Sequence, residues 1–185
     1  MNVFYLHKDP YEAARLMCDK HTPKMPVESG QMLSTVHRYC DGTETIKLNK
    51  AGRRMKHWYL DDSFKENLLY KVAHLNHPST VWTRQSDGNY SWHWHLFRAM
   101  LEEYTFRYGK VHKSSELLDI LKTPPTNIPK GEFAPPPQCM PEQYKQEDAV
   151  IAYRNYYIGE KAGFAKWQKG RSIPEWFNYD NIQIG

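Results

Sequence analysis

The chain's 185 residues, 40% hydrophobic and 14% aromatic, supply the core of one domain and too little for two comfortable ones. A mean hydropathy of −0.79, no run near the roughly 18 apolar residues of a membrane span, and an N-terminus (MNVFYLHKDP) without the basic and apolar regions of a signal peptide predict a cytoplasmic protein, in the host cytoplasm if viral. Cys18, Cys40 and Cys139 are widely spaced and form no CxxC, so they read as reduced thiols.

In chain order the pattern is mostly helical. Asp9-Pro10-Tyr11-Glu12 combines an N-cap, a first-turn proline and an acid at N3, which predicts a helix from Pro10 to about His21. Thr22-Pro23 repeats the signal, and a proline inside a helix costs roughly 3 kcal/mol, so a kink or restart is expected at 22–26. The second helix should run to about Tyr39 and stop at Asp41-Gly42. A short hairpin-like segment with a turn near Asn49–Gly52 comes next.

Phe64, Leu68, Val72 and Leu75 keep helical register, predicting a helix over 63–75 capped by Asp62 or Ser63. His77-Pro78-Ser79 opens a brief helix through Trp82. Tyr90, Trp94, Phe97, Leu101, Tyr104 and Tyr108 then step by four and three residues, one face of a long helix over 87–108 stopped by Gly109. Such a stripe reads as core. A short helix is expected over 114–122.

The stretch TPPTNIPKGEFAPPPQCMP holds seven of the twelve prolines in nineteen residues. Its apolar content predicts an arm laid over the surface of the protein, over 123–141. A last helix over 141–161 places Val150, Tyr153 and Tyr157 on one face, and the tail SIPEWFNYD docks aromatic rings back. The fold expected is mainly α: a compact helical domain spanning 1–185, with the arm and at most a short hairpin.

Two polar features carry candidate chemistry. CDKHTPKMPVES (18–29) gathers Asp19, His21, Lys24 and Glu28 around two prolines. On a helix resuming after Pro23, Lys24 and Glu28 face the same way, so carboxylate, imidazole and amine can converge at a bent junction. The ordinary alternative is a surface ion pair worth a few tenths of a kcal/mol. TIKLNKAGRRMKHWYL (45–60) carries Lys47, Lys50, Arg53, Arg54 and Lys56 without an acid, beside Trp58 and Tyr59. Clustered cations with aromatics suit phosphate contact and base stacking, although a charge run is usually a solvated surface. Smaller basic groups fall at Lys110 and Lys113 and at Lys161–Arg171.

Other chemistries find no support. GxGxxG, GxxxxGK[ST], GxSxG and HExxH are absent, and His93 and His95 diverge at i, i+2 on a helix. No metal site or cofactor is expected.

The segments RLMCDKHTPKMPVESGQMLSTVHR, HPSTVWTRQSDGNYSWHWHLFRAMLEEYTFRYGK and the tail IPEWF together resemble small, mostly helical phage pyrimidine-dimer DNA glycosylases of the endonuclease V type. The resemblance implies a catalytic carboxylate at Asp19 or Glu28 and an amine nucleophile. That family exposes its α-amine by removing Met before a small residue. Here Asn2 follows Met1, so the amine of Met1 or Lys24 would have to take that role, or the protein has the fold without the lyase chemistry. His77, Ser79, Trp82 and Arg84 would form a turn that grips phosphate or wedges the duplex, against plain N-capping for His77 and Ser79 and core packing for Trp82. The activity implied is a glycosylase and abasic-site lyase for damaged pyrimidines, acting as a monomer on double-stranded DNA. A nucleotide or base-modification enzyme of phage metabolism, or a non-catalytic binder of DNA or a host protein, are the alternatives.

Overall fold

The structure, a computed structural model, describes residues 1–178. Asp9 caps α1 (Pro10–Leu16) by accepting from the Tyr11 and Glu12 amides, both at 2.9 Å. The helix stops well short of His21. The guanidinium of Arg107 takes the Arg15 and Met17 carbonyls at 2.9 Å each, and Met17 turns extended. Residues 19–24 then form turns in which Thr22 bonds back to the Cys18 carbonyl rather than capping the next helix. The chain restarts as α2 (Met25–Asp41), with Pro26 in its first turn and Gly42 closing it.

β1 (Thr43–Leu48) and β2 (Arg54–Tyr59) pair antiparallel around the expected turn. The helix predicted over 63–75 is much shorter: α3 (Ser63–Leu68) ends where Leu69 turns extended. The cause is Arg38 of α2, whose side chain is fully buried. It donates to the carbonyls of Trp58, Glu66, Leu69 and Tyr70 and pairs with the Glu66 carboxylate. Drawn to this one guanidinium, Leu69 and Tyr70 take an extended path instead of a further helical turn. Phe64 is accordingly exposed, not core. Burial would raise the Glu66 pKa, but hydrogen bonds from Lys71, Arg38 and the Leu60 amide outweigh it and hold the carboxyl down to about 2.

α4 (Pro78–Gln85) leads into α5 (Asp87–Tyr108), which packs against α1, α2 and α4 and ends at Gly109 in the left-handed region. Along the aromatic stripe Tyr90, Trp94, Phe97 and Leu101 are buried, and Tyr104 and Tyr108 stack on each other at 5.0 Å. The helix expected over 114–122 is a 3-10 turn at Lys113–Leu117 followed by further turns. The one expected from 141 reduces to a 3-10 turn, Glu142–Tyr144, before α6 (Ala149–Lys161), capped by Asp148. Val150, Tyr153 and Tyr157 of α6 are buried as the pattern requires. The fold is mainly α, with six α-helices and a single two-stranded hairpin among the described residues. No helix there is long and apolar enough to cross a membrane.

Two features frame the site. The N-terminal segment is threaded into the core: Val3, Phe4, Tyr5 and Leu6 are all buried, and Phe4 sits in the left-handed region at φ 49°. The proline arm lies along α4 and α5. Asp41 accepts from the Thr126 and Asn127 amides, Trp82 Nε1 donates to the Ala134 carbonyl, and Phe133 stacks on Trp92. In the tail, Trp176 and Phe177 pack on the core, while Tyr179 and Asp180 lie outside the described residues.

Replacing Arg38 with Ala leaves four carbonyls without this donor and empties a buried site, so the urea midpoint should fall by the equivalent of about 3–5 kcal/mol. Limited trypsin digestion should spare the arm, Lys130 included, at times when exposed chain is cut. Fast and exclusive cleavage between Lys122 and Met140 would contradict its docking.

Candidate functional site

The turn at 18–24, the start of α2 and the N-terminal segment meet in a cleft of about 340 Å³. Glu28 projects into it from the first turn of α2, its side chain only 16% exposed. The α-amine of Met1 lies 3.5 Å from Glu28 Oε2, and Lys24 Nζ lies 3.3 Å from Oε1. The Met1 side chain is buried, whereas that of Lys24 is 61% exposed. Lys24 therefore stands at the rim.

Aromatic rings build the walls. Phe4, Phe164 and Tyr156 line the cleft with His21, which stacks on Phe4 at 4.6 Å and meets Phe164 edge-on. Lys20 lies over the Phe164 ring at 4.4 Å, and Lys161 over Tyr156 at 4.5 Å. Lys20, Lys24 and Lys161 thus line a cleft that holds one carboxylate, Glu28.

His21 shows how this environment fixes a protonation state. Burial, then the charges of Lys161, Lys24 and Lys20, push its pKa down to about 3, so the ring is neutral. Its Nδ1 is 2.6 Å from the Tyr157 hydroxyl. That hydroxyl already accepts the Cys18 amide at 3.0 Å, and burial raises its pKa well above the usual phenol value, so its own proton is left to donate. Tyr157 therefore donates to Nδ1, and Nε2 of His21 carries the ring proton. His77 follows the same logic. Burial, then the Met1 amine and His74, lower its pKa, with Glu28 opposing, and Nδ1 accepts the Ser79 amide at 3.2 Å. Both histidines offer the cleft an N–H donor rather than a base.

Of the residues expected from sequence, His21, Lys24, Glu28 and His77 come together here. Asp19 does not. It is buried against Arg107 at 3.1 Å and accepts the Gln168 amide at 2.7 Å, so it anchors the turn. Ser79 and Trp82 are buried in the body and cannot grip or wedge a duplex. Arg84 bonds the Leu75 carbonyl and stacks on Tyr39. Lys110 and Lys113 are exposed on either side of His112, which bonds the Pro23 carbonyl at 3.1 Å.

The basic segment is not beside the cleft. It leaves the far end of α2, and from Glu28 to Asp41 that helix advances about 20 Å at ~1.5 Å per residue. Lys56 pairs with Glu44 across the strands and Lys47 bonds Tyr59, while Lys50, Arg53 and Arg54 are exposed. Sequence reasoning missed Phe4, Tyr156, Tyr157 and Phe164. Only the apolar run VFYL hints that the N-terminus is buried, and nothing local links α6 to residue 21. Among the described residues no group of three or more His, Cys, Asp or Glu is placed to hold a metal ion. No family model, curated protein or solved structure matches the chain.

Acid should expose the neutral histidines. The unfolded chain takes up protons near pH 6.5, but folded His21 and His93 resist to about 3 and His37 to about 4. Their contribution to stability is complete above pH 6.5 and is lost as pH falls through that window. Nitrogen-15 NMR should find His21 protonated on Nε2 alone, without titrating between pH 8 and 5. A His21 midpoint near 6.5 would contradict the assignment.

Proposed function

We propose that the cleft performs amine-dependent chemistry on DNA: a cytoplasmic, monomeric, cofactor-independent glycosylase and abasic-site lyase acting on damaged pyrimidines in double-stranded DNA. The observation that carries this reading is the α-amine of Met1 held at Glu28 in an aromatic, lysine-lined cleft. Aromatic walls suit an extruded base, and Lys20, Lys24 and Lys161 suit the phosphates on either side of it.

In its neutral form the amine attacks C1′ of the extruded nucleotide. Its lone pair makes the N–C1′ bond as the bond from C1′ to the base breaks. The base departs with that electron pair and takes a proton from the Lys24 ammonium. Glu28 accepts the proton shed by the attacking nitrogen and delivers it to O4′ as the sugar opens to the imine. Glu28, again a carboxylate, then takes a proton from C2′ as the 3′ phosphate leaves with the C3′–O bond pair, and water hydrolyses the imine to restore the amine. His21 and His77 donate hydrogen bonds to developing negative charge without giving up their protons.

One feature favours a second reading, in which the substrate is a free nucleotide: a cleft of about 340 Å³ has the scale of a single nucleotide, and the most cationic surface lies elsewhere.

Borohydride reduces an imine to a stable amine and so separates these readings. Incubated with duplexes carrying abasic sites or ultraviolet photoproducts, the protein should be trapped, with the adduct on the peptide containing Met1. Glu28→Gln should lose trapping and turnover by orders of magnitude while its stability changes by less than about 1 kcal/mol. An adduct at Lys24 would move the nucleophile to the rim, and one formed only with nucleotides would establish the second reading. No adduct on any substrate, with Glu28→Gln unimpaired, would overturn both.

A further inference from the structure

The hairpin stands out from the helical body. Its root is fixed: Trp58 and Leu60 are buried, and Arg38 grips the Trp58 carbonyl at 3.0 Å. Its tip is also fixed. Asn49 Oδ1 accepts the Ala51 and Arg53 amides at 2.9 Å each, and the Asn49 amide donates to the Arg53 carbonyl. Gly52 supplies the left-handed residue at φ 72°. Between root and tip the ribbon is bare. Ile46 is 64% exposed, Leu48 68% and Met55 49%. Paired strands of six residues make a stiff two-stranded arm about 20 Å long at ~3.4 Å per residue.

Register decides what the arm presents. Ile46 faces Lys56 and Leu48 faces Arg54 on one side, and Lys47 faces Met55 on the other. Both faces therefore carry cations and apolar groups together, and the outermost residues, Lys50 and Arg53, are charged. A ribbon built to enter a lipid bilayer would put its apolar groups at the tip and its cations at the root. This one does the reverse. Charge that reaches furthest out, on a narrow rigid element, is complementary to a groove walled by phosphates.

We infer that the hairpin is a β-ribbon that enters the major groove of duplex DNA, with Lys50, Arg53 and Arg54 on the phosphate walls. A major groove about 12 Å wide admits a two-stranded ribbon with side chains on both faces, and a minor groove about 6 Å wide does not. The ribbon's root lies about 20 Å from Glu28 along α2, roughly six base pairs at ~3.4 Å each, so one duplex can reach both. The inference takes its partner from the DNA reading above, but it does not depend on the amine chemistry.

Binding to an undamaged duplex tests it apart from catalysis. The double variant Arg53→Ala, Arg54→Ala should bind at least tenfold more weakly, and its log–log salt slope should fall by between one and two units. Dimethyl sulfate should find guanine N7, in the major groove, protected by the wild type and unprotected with the double variant. Near-ultraviolet circular dichroism should be unchanged, since both arginines are exposed. Protection that survives while borohydride traps nothing would sustain the ribbon and reject the lyase. An unchanged salt slope, protection of adenine N3 instead, or variant-sensitive binding only to vesicles rich in phosphatidylserine would each overturn the inference.

Discussion

The site hangs on Arg107. This guanidinium, buried on α5, holds four partners that come from two separate parts of the chain: Glu103 at 2.6 Å, Asp19 at 3.1 Å, and the Arg15 and Met17 carbonyls at 2.9 Å. Glu103 in turn takes Arg171 through both of its oxygens. A buried guanidinium is tolerable only when its donors are satisfied and its charge is met. The network therefore selects one conformation of residues 15–19. That conformation ends α1, swings Cys18 to Tyr157 and aims His21 at the cleft.

A similar constraint governs the electrostatics of the cleft. Burial and the neighbouring cationic groups both disfavour imidazolium, so the histidines remain neutral donors. Glu28 is the one carboxylate among the lining residues, and it faces two amines. An electron-rich, acceptor-laden ligand fits such a cavity better than a cationic one, whatever bond is eventually made or broken.

Local signals are readable where the backbone answers only to itself. Asp9 and Asp62 cap the helices their positions predict, Gly109 ends α5, and Tyr90, Trp94, Phe97 and Leu101 of the α5 stripe are core, because capping and a 3.6-residue period are decided within a few residues. The misses at α1 and α3 share one cause. In each, a buried arginine distant in sequence, Arg107 or Arg38, takes carbonyls the helix would have used, and no window around residue 17 or 69 contains that arginine. The site divides the same way. Lys24 and Glu28 can be paired by spacing, whereas Asp19 cannot be removed without seeing Arg107, and the Tyr157 hydroxyl that sets the His21 tautomer is 136 residues away.

The threading of residues 1–6 has a consequence for how the protein is made. Asn2 is tied to the Cys139 carbonyl, Leu6 accepts from Arg154, and Leu16 accepts from Trp167. These clamps leave the ribosome long after the segment they hold. Until α6 and the residues after it have emerged, Phe4 lacks its contacts with Tyr153, Tyr156 and Tyr157, and the cleft lacks two of its aromatic walls. The geometry of the cleft is therefore complete only once residues 149–167 have been released, however early the helices before them have folded.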